Sequence, residues 1–204
     1  MWGTLYRTEL WNNTASFVLQ EIRSANDQFN ADLLNTNYAI VNFSYQNDVR
    51  RILGTMEYAS SADMLADRRT MENTLQTYTT ILSSIQEIYV VTRAGFVYTR
   101  GSSNSHWSDD EVKDYYKIAD SSGNTICAMT ENPHQEGISA LELVMVKLIY
   151  PGKHSETLVV VPINDHVLLK PFLVKRDFRC RFVLYDPVSG RTLVKDNGEF
   201  PPAQ

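Results

Sequence analysis

The period of the apolar residues changes once along this chain, and that change limits the fold more than any other feature. From Thr4 to about Ile52 the pattern is helical. Val18, Ile22, Ala25, Phe29 and Leu33 recur at spacings of three and four, while Asn26, Asp27, Asn30 and Asp32 fill the opposite side. No proline precedes Pro133, and only Gly3, Gly54, Gly95, Gly101 and Gly123 punctuate the first 130 residues. One very long helix with a bend near Asn35–Asn37 is the economical expectation. A helix longer than about 25 residues without internal caps reads as a coiled coil or a stalk. After Gly54 a polar break leads to a second helix that Ser60, Ser61 or Asp63 can cap, with Met64, Met71, Leu75, Tyr78 and Leu82 as its buried stripe.

From Ile85 the period is two. Strands are predicted at about 86–92, 96–100, 125–130, 141–150 and 157–163, with a short helix at about 109–120. Ala94-Gly95, Ser121-Ser122-Gly123, Asn132-Pro133 and Pro151-Gly152 supply the turns. A helical step from Asp165 to Phe172 leads to a last hairpin at 178–196. Helices first and mostly antiparallel strands afterwards indicate an α+β fold rather than a doubly wound parallel sheet.

Composition excludes some functions. The 204 residues carry 43% hydrophobic side chains and a net charge of −5, which supports a sizeable core and argues against nucleic acid as partner, since phosphate neutralisation needs clustered Lys and Arg. No run of about 18 apolar residues occurs, so nothing within the chain is expected to span a membrane. The start, "MWGTLYRTEL", lacks a signal-peptide pattern. The ending "GEFPPAQ" reads as a cut from a longer protein. Cys127 and Cys180 are expected to be two buried free thiols.

The catalytic inventory is thin. His106, His134, His154 and His166 show no metal-ligand spacing, and neither phosphate-binding glycine loops nor a nucleophile elbow occurs. No metal, no cofactor and no catalytic residue is assigned. Asp109, Asp110 and Glu111 stand where a helix begins, with Ser108 as cap and Glu111 completing a capping box. The dense polar-aromatic stretch is "YTRGSSNSHWSDDEVKDYYKIA". Its Tyr98, Arg100, Trp107, Lys113, Tyr115 and Tyr116 are the candidate ligand-binding residues, because rings bury a ligand while polar tips orient it. Asn132 and His134, after the third strand, are placed at the mouth. An equally weighted alternative has Trp107, Tyr115 and Tyr116 simply pinning the short helix to the sheet.

The order of elements resembles the Cache family, the PAS-like extracellular sensors of bacterial receptors. The match rests on Ile88–Thr99 with Gly95 in the turn, on "DYYKIA" at 114–119, and on "SETLVVVPINDHVLLKPF" at 155–172. The chain looks most like the sensor of a YesM-type histidine kinase of Firmicutes. The resemblance implies a long N-terminal helix and a second helix (1–84) packed on a PAS-like antiparallel sheet that forms the sensing module (85–172). Residues 173–204 would then begin a second, membrane-proximal module. It also implies flanking transmembrane helices, a homodimeric parent receptor, a location outside the cell and a kinase beyond, with no enzyme in this segment.

One departure concerns the ligand. Amino-acid-binding members resemble an Arg-x-Trp-Tyr pattern with a later Asp. Here the positions read Lys113-Asp114-Tyr115-Tyr116, and Pro162 stands where the Asp would be. Lysine lacks the bidentate fork of arginine, and proline offers an ammonium nothing. Two positive side chains among rings point to a small anionic or carboxylated extracellular ligand, with a sugar or a peptide fitting no worse. The alternative function is a protein-interaction or dimerisation ectodomain with no small ligand, in a chemoreceptor or another transmembrane regulator.

Overall fold

The computed structural model describes residues 2–55, 60–93, 96–100, 107–119, 123–131, 141–152, 155–164, 167, 170–171, 181–186 and 190–196. Three helices come first: α1 (Trp2–Tyr45), α2 (Asn47–Gly54) and α3 (Ser61–Ile81). Strands β1 (Tyr89–Thr92) and β2 (Val97–Tyr98) precede α4 (Asp109–Ile118). Then come β3 (Thr125–Glu131), β4 (Leu141–Gly152), β5 (Ser155–Pro162) and a hairpin of β6 (Arg181–Tyr185) and β7 (Thr192–Asp196). The fold is α+β, with the long N-terminal helices packed on a five-stranded antiparallel sheet of order β2-β1-β5-β4-β3.

The sheet is covered on both faces, and this explains why β4 and β5 are almost wholly apolar. Alternate residues divide between two cores. Ile88, Val90, Met145, Ile149, Val159 and Val161 pack with Ile40, Phe43, Ile52, Met71 and Leu75 of the helices. Val91, Val97, Val144, Val146, Leu158 and Val160 pack with Trp107, Val112 and Tyr115 around α4.

The first fifty residues form two helices, not one. α1 is continuous through Asn35–Asn37, where Thr36 returns its hydroxyl to the Asp32 carbonyl (2.8 Å) and meets the Ser84 hydroxyl (2.9 Å). The break comes at Gln46, which leaves the helix with φ −61° and ψ 135°. Its side-chain amide donates to the Tyr78 hydroxyl at 3.0 Å. The turn re-aims the chain so that Val49, Ile52 and Leu53 of α2, spaced by three and one, reach the sheet. Arg51 then ties α2 to α3 through a two-pronged pair with Asp67, at 2.7 and 3.0 Å.

Ile22 and Met64, expected in the buried stripes, are 53% and 52% exposed. A 44-residue helix is about 66 Å long at 1.5 Å per residue, longer than the sheet it lies on. Among the side chains described, from residue 15 onward, its buried line starts at Ala25 and continues through Phe29 and Leu33 to Ile40 and Phe43. Val18 is half-buried, and Asn26, Asp27 and Asn30 are exposed as their polarity requires. The start of α3 overhangs likewise, and its burial begins at Met71. Ser60 caps α3 by accepting from the Asp63 amide.

Cys127 also departs from expectation, because it lies on β3, the edge strand, and is exposed. Cys180, the Glu111 side chain and most of the step at 165–172 lie outside the described residues.

Candidate functional site

The α4 helix begins where the Ser108 carbonyl accepts the Val112 amide at 3.1 Å. Its apolar side, Val112, Tyr115 and the half-buried Tyr116 and Ile118, lies on the sheet. Trp107, just before it, is 1% exposed and Tyr115 6%. Their rings overlap at 5.0 Å between centroids with 31° between planes, and Tyr89 closes on Trp107 at 5.3 Å. Such offset ring contacts are favourable beyond the area they bury. Trp107 and Tyr115 therefore fill the layer between α4 and the sheet. Of the two readings of this aromatic stretch, the pinning one describes these two rings.

The other candidates part company. Tyr98 sits on the opposite face of the sheet, against the helix-side core, with Phe96 edge-on at 4.9 Å. Arg100 turns to Glu87, Nε to carboxylate at 3.0 Å. Lys113 and Tyr116 remain together where α4 borders the β1–β5 end of the sheet. Asn132 and His134 lie outside the described residues.

What Lys113 and Tyr116 share is an open groove of about 600 Å³ between α4 and the β1–β5 end of the sheet. Arg93, Asp109, Val112, Lys117 and Glu156 complete its lining. Each cation already has an acid beside it. Arg93 holds Glu156 at 3.1 Å, Lys113 holds Asp110 at 3.3 Å, and Lys117 holds Asp114 at 2.6 Å. All three bridges are solvent-exposed and weak enough to be exchanged for a ligand. The hydrogen bond and charge of Asp114 raise the Lys117 pKa, keeping it cationic. Burial, with Glu156 nearby, raises the Tyr116 phenol above its ordinary range, so it stays a neutral hydroxyl at physiological pH. Its oxygen stands 3.5 Å from the Glu156 carbonyl, a long contact that a better acceptor could replace.

Arg93 and Glu156 were missing from the sequence-based set. The pairing of Thr92 with Thr157 brings them together across two strands that are not consecutive, and no local pattern announces that. The groove can hold a carboxylate between Arg93, Lys113 and Lys117, and an ammonium or hydroxyl near Asp109 or Glu156. It offers neither a nucleophile–base pair nor, among the described residues, a cluster of His, Cys, Asp and Glu able to hold a metal.

No family model matches the sequence, and no curated protein matches it either. Solved structures do. A domain described as part of a sensory box/GGDEF family protein from Vibrio parahaemolyticus superposes with a TM-score of 0.58 at 11% identity, over 88% of this chain and 66% of that one. The extracellular domain described as that of the histidine kinase vpHK1S-Z8 gives 0.56 at 15% identity, over 88% and 63%. The chain thus spans a little under two thirds of the length of the structures it resembles, and it shares their sensor-domain fold.

Proposed function

We propose that this chain is the extracellular sensory module of a bacterial transmembrane receptor, with a histidine kinase of the YesM type as the parent. The observation that carries the reading is the fold: five antiparallel strands behind a 44-residue helix, in the architecture of two solved sensor domains. Flanking transmembrane helices and a homodimeric parent belong to the same proposal. Among the described residues no helix is long and apolar enough to cross a membrane. Leu34, Tyr38 and Tyr45 lie exposed on α1, and a second copy of the receptor would cover them. The module works by differential affinity: a ligand moves α1 only by as much as it prefers one arrangement of the groove over another.

The ligand we assign to the groove is a small carboxylated molecule, held by Lys113 and Arg93 with the Tyr116 hydroxyl donating to it. A thermal-shift screen over organic acids, sugars and short peptides tests this. A carboxylated ligand should raise the melting temperature of the wild type and lose most of that effect in Lys113→Ala and Tyr116→Ala. Tyr98→Phe, on the other face, should keep it. Equal stabilisation of the wild type and both groove variants would place the site elsewhere.

The filled Trp107–Tyr115 layer and the three paired cations favour a second reading, an interaction ectodomain with no small ligand. Silence across the whole screen, with a protein captured through the exposed side of α1, would select it.

A further inference from the structure

Lys147 is a charged residue at a core position. It lies on β4 between Met145 and Ile149, both in the helix-side core, and opposite Val159 and Thr125 on the neighbouring strands. It is only 9% exposed. Its ammonium donates to the Gly123 carbonyl, and burial lowers its pKa. The Thr125 hydroxyl across the ladder is buried without a hydrogen-bond partner.

Lys147 borders a cavity of about 230 Å³ where α1, α2 and β4 meet. Ser44 and Tyr45 from the end of α1, Arg50 of α2, Gly123 and Tyr150 lie around it. Among the described residues no carboxylate lines this cavity and neither cation forms an ion pair. The carbonyls ending α1 contribute a partial negative charge of about half a unit. Against two full positive charges, that leaves a surplus of more than one. A part-buried ammonium with no counter-charge is costly, and an anion that accepts from it and from Arg50 relieves the cost.

We infer that this cavity is an anion site, taking one small carboxylate or phosphate group between Lys147 and Arg50 on the helix side of the sheet. It is separate from the α4 groove on the opposite face and does not depend on that groove being occupied. An anion there bridges β4 to the joint at Gln46 where α1 gives way to α2. Its occupancy would therefore bear on the long helix from the side away from α4.

The test is a titration of the ¹⁵N-labelled 204-residue chain with sodium phosphate and, separately, with sodium malonate. Sodium chloride at matched ionic strength is the reference. Saturable amide shifts at Tyr45, Gly123 and Ile149 are expected with at least one of the two anions, and which one saturates identifies the group. Removing one charge-assisted partner should weaken binding about tenfold, so Arg50→Gln and Lys147→Met should each move the midpoint by that factor. Arg50 is exposed, so its variant should fold even if Lys147→Met does not. Lys113→Ala should bind as the wild type does, which separates this site from the groove. Shifts no larger than those with chloride, or saturation at the same midpoint in Arg50→Gln, would overturn the inference.

Discussion

Replacing Trp107 by alanine should be among the most damaging single changes available. The indole is 1% exposed, with Tyr115 on one side at 5.0 Å and Tyr89 at 5.3 Å. Truncation removes roughly 150 Å² of buried apolar surface, which at about 25 cal/mol per Å² amounts to ~4 kcal/mol. Lost ring contacts add about 1 kcal/mol. Partial collapse of α4 onto Val146 and Val160 offsets some of this, giving an expected loss of about 3–5 kcal/mol. That is a large share of the ~5–15 kcal/mol that holds a typical domain together. Urea unfolding followed by far-ultraviolet circular dichroism reads it directly and does not rely on the fluorophore being removed. Tyr115→Phe keeps the ring and should cost far less. A loss below about 1 kcal/mol for Trp107→Ala would mean that the indole fills no core. The layer between α4 and the sheet would then be free to admit a ligand, contrary to the packing argument.

Cys127, although exposed as a residue, lines a 150 Å³ cavity with Phe29, Leu33, Tyr185 and Asp186, and desolvation of its sulfur there, together with the Asp186 carboxylate, pushes the thiol from 9.0 up to about 11. At pH 8 its thiolate fraction should be about a hundredfold below that of an ordinary thiol. Iodoacetamide labelling followed by mass spectrometry should therefore be much slower in the native chain than in urea, and equal rates would refute the shift. Because the folded pKa is the higher one, this thiol's contribution to stability is fully present below about pH 9 and is lost as the pH rises through about 11. Melting temperatures of wild type and Cys127→Ser across that window check the sign. Phe29→Asp, which brings a charge to the helix-side core, should destabilise by several kcal/mol. Asn30→Asp, on the exposed side of α1, should be nearly silent; matching melting temperatures would show that the helix phase is wrong.

Much of this architecture was legible because single periodicities decide it. The switch at Ile85 separated helices from sheet, and the strand-length apolar runs within 141–150 and 157–163 located the two central strands. The break in the first helix was not legible. Gln46 is a good helix former, and it leaves the helix because Val49, Ile52 and Leu53 must reach the sheet while its amide finds Tyr78, 32 residues away. Ile22 failed for a related reason, since a stripe can continue past the end of what it packs on. At the candidate site, chain proximity grouped Tyr98, Arg100, Trp107 and Lys113. The sheet then separated Tyr98 from Trp107 by one strand face, and Glu87 drew Arg100 away. The two residues that complete the groove, Arg93 and Glu156, are 63 apart in sequence and meet only through the β1–β5 pairing.

The terminal hairpin has a physical part in the module whatever the rest of the chain adds to it. β3 is an edge strand, and an edge presents backbone donors that need a partner or water. Asp186, at the turn of the hairpin and 7% exposed, accepts the Met129 amide of β3 at 3.2 Å through Oδ2. The turn that aims it is closed by two backbone bonds, Gly190 to the Asp186 carbonyl and the Asp186 amide to Arg191. Gly190 adopts φ +69°, a conformation glycine takes without strain. Backbone geometry in the hairpin thus fixes a carboxylate against the sheet edge, beside the cavity that Phe29 and Leu33 of α1 also line. A displacement of the hairpin has to break a charge-assisted bond to β3 and reshape a cavity shared with the long helix. At the edge of the sheet, rather than at its centre, the hairpin and α1 thus come to line one cavity.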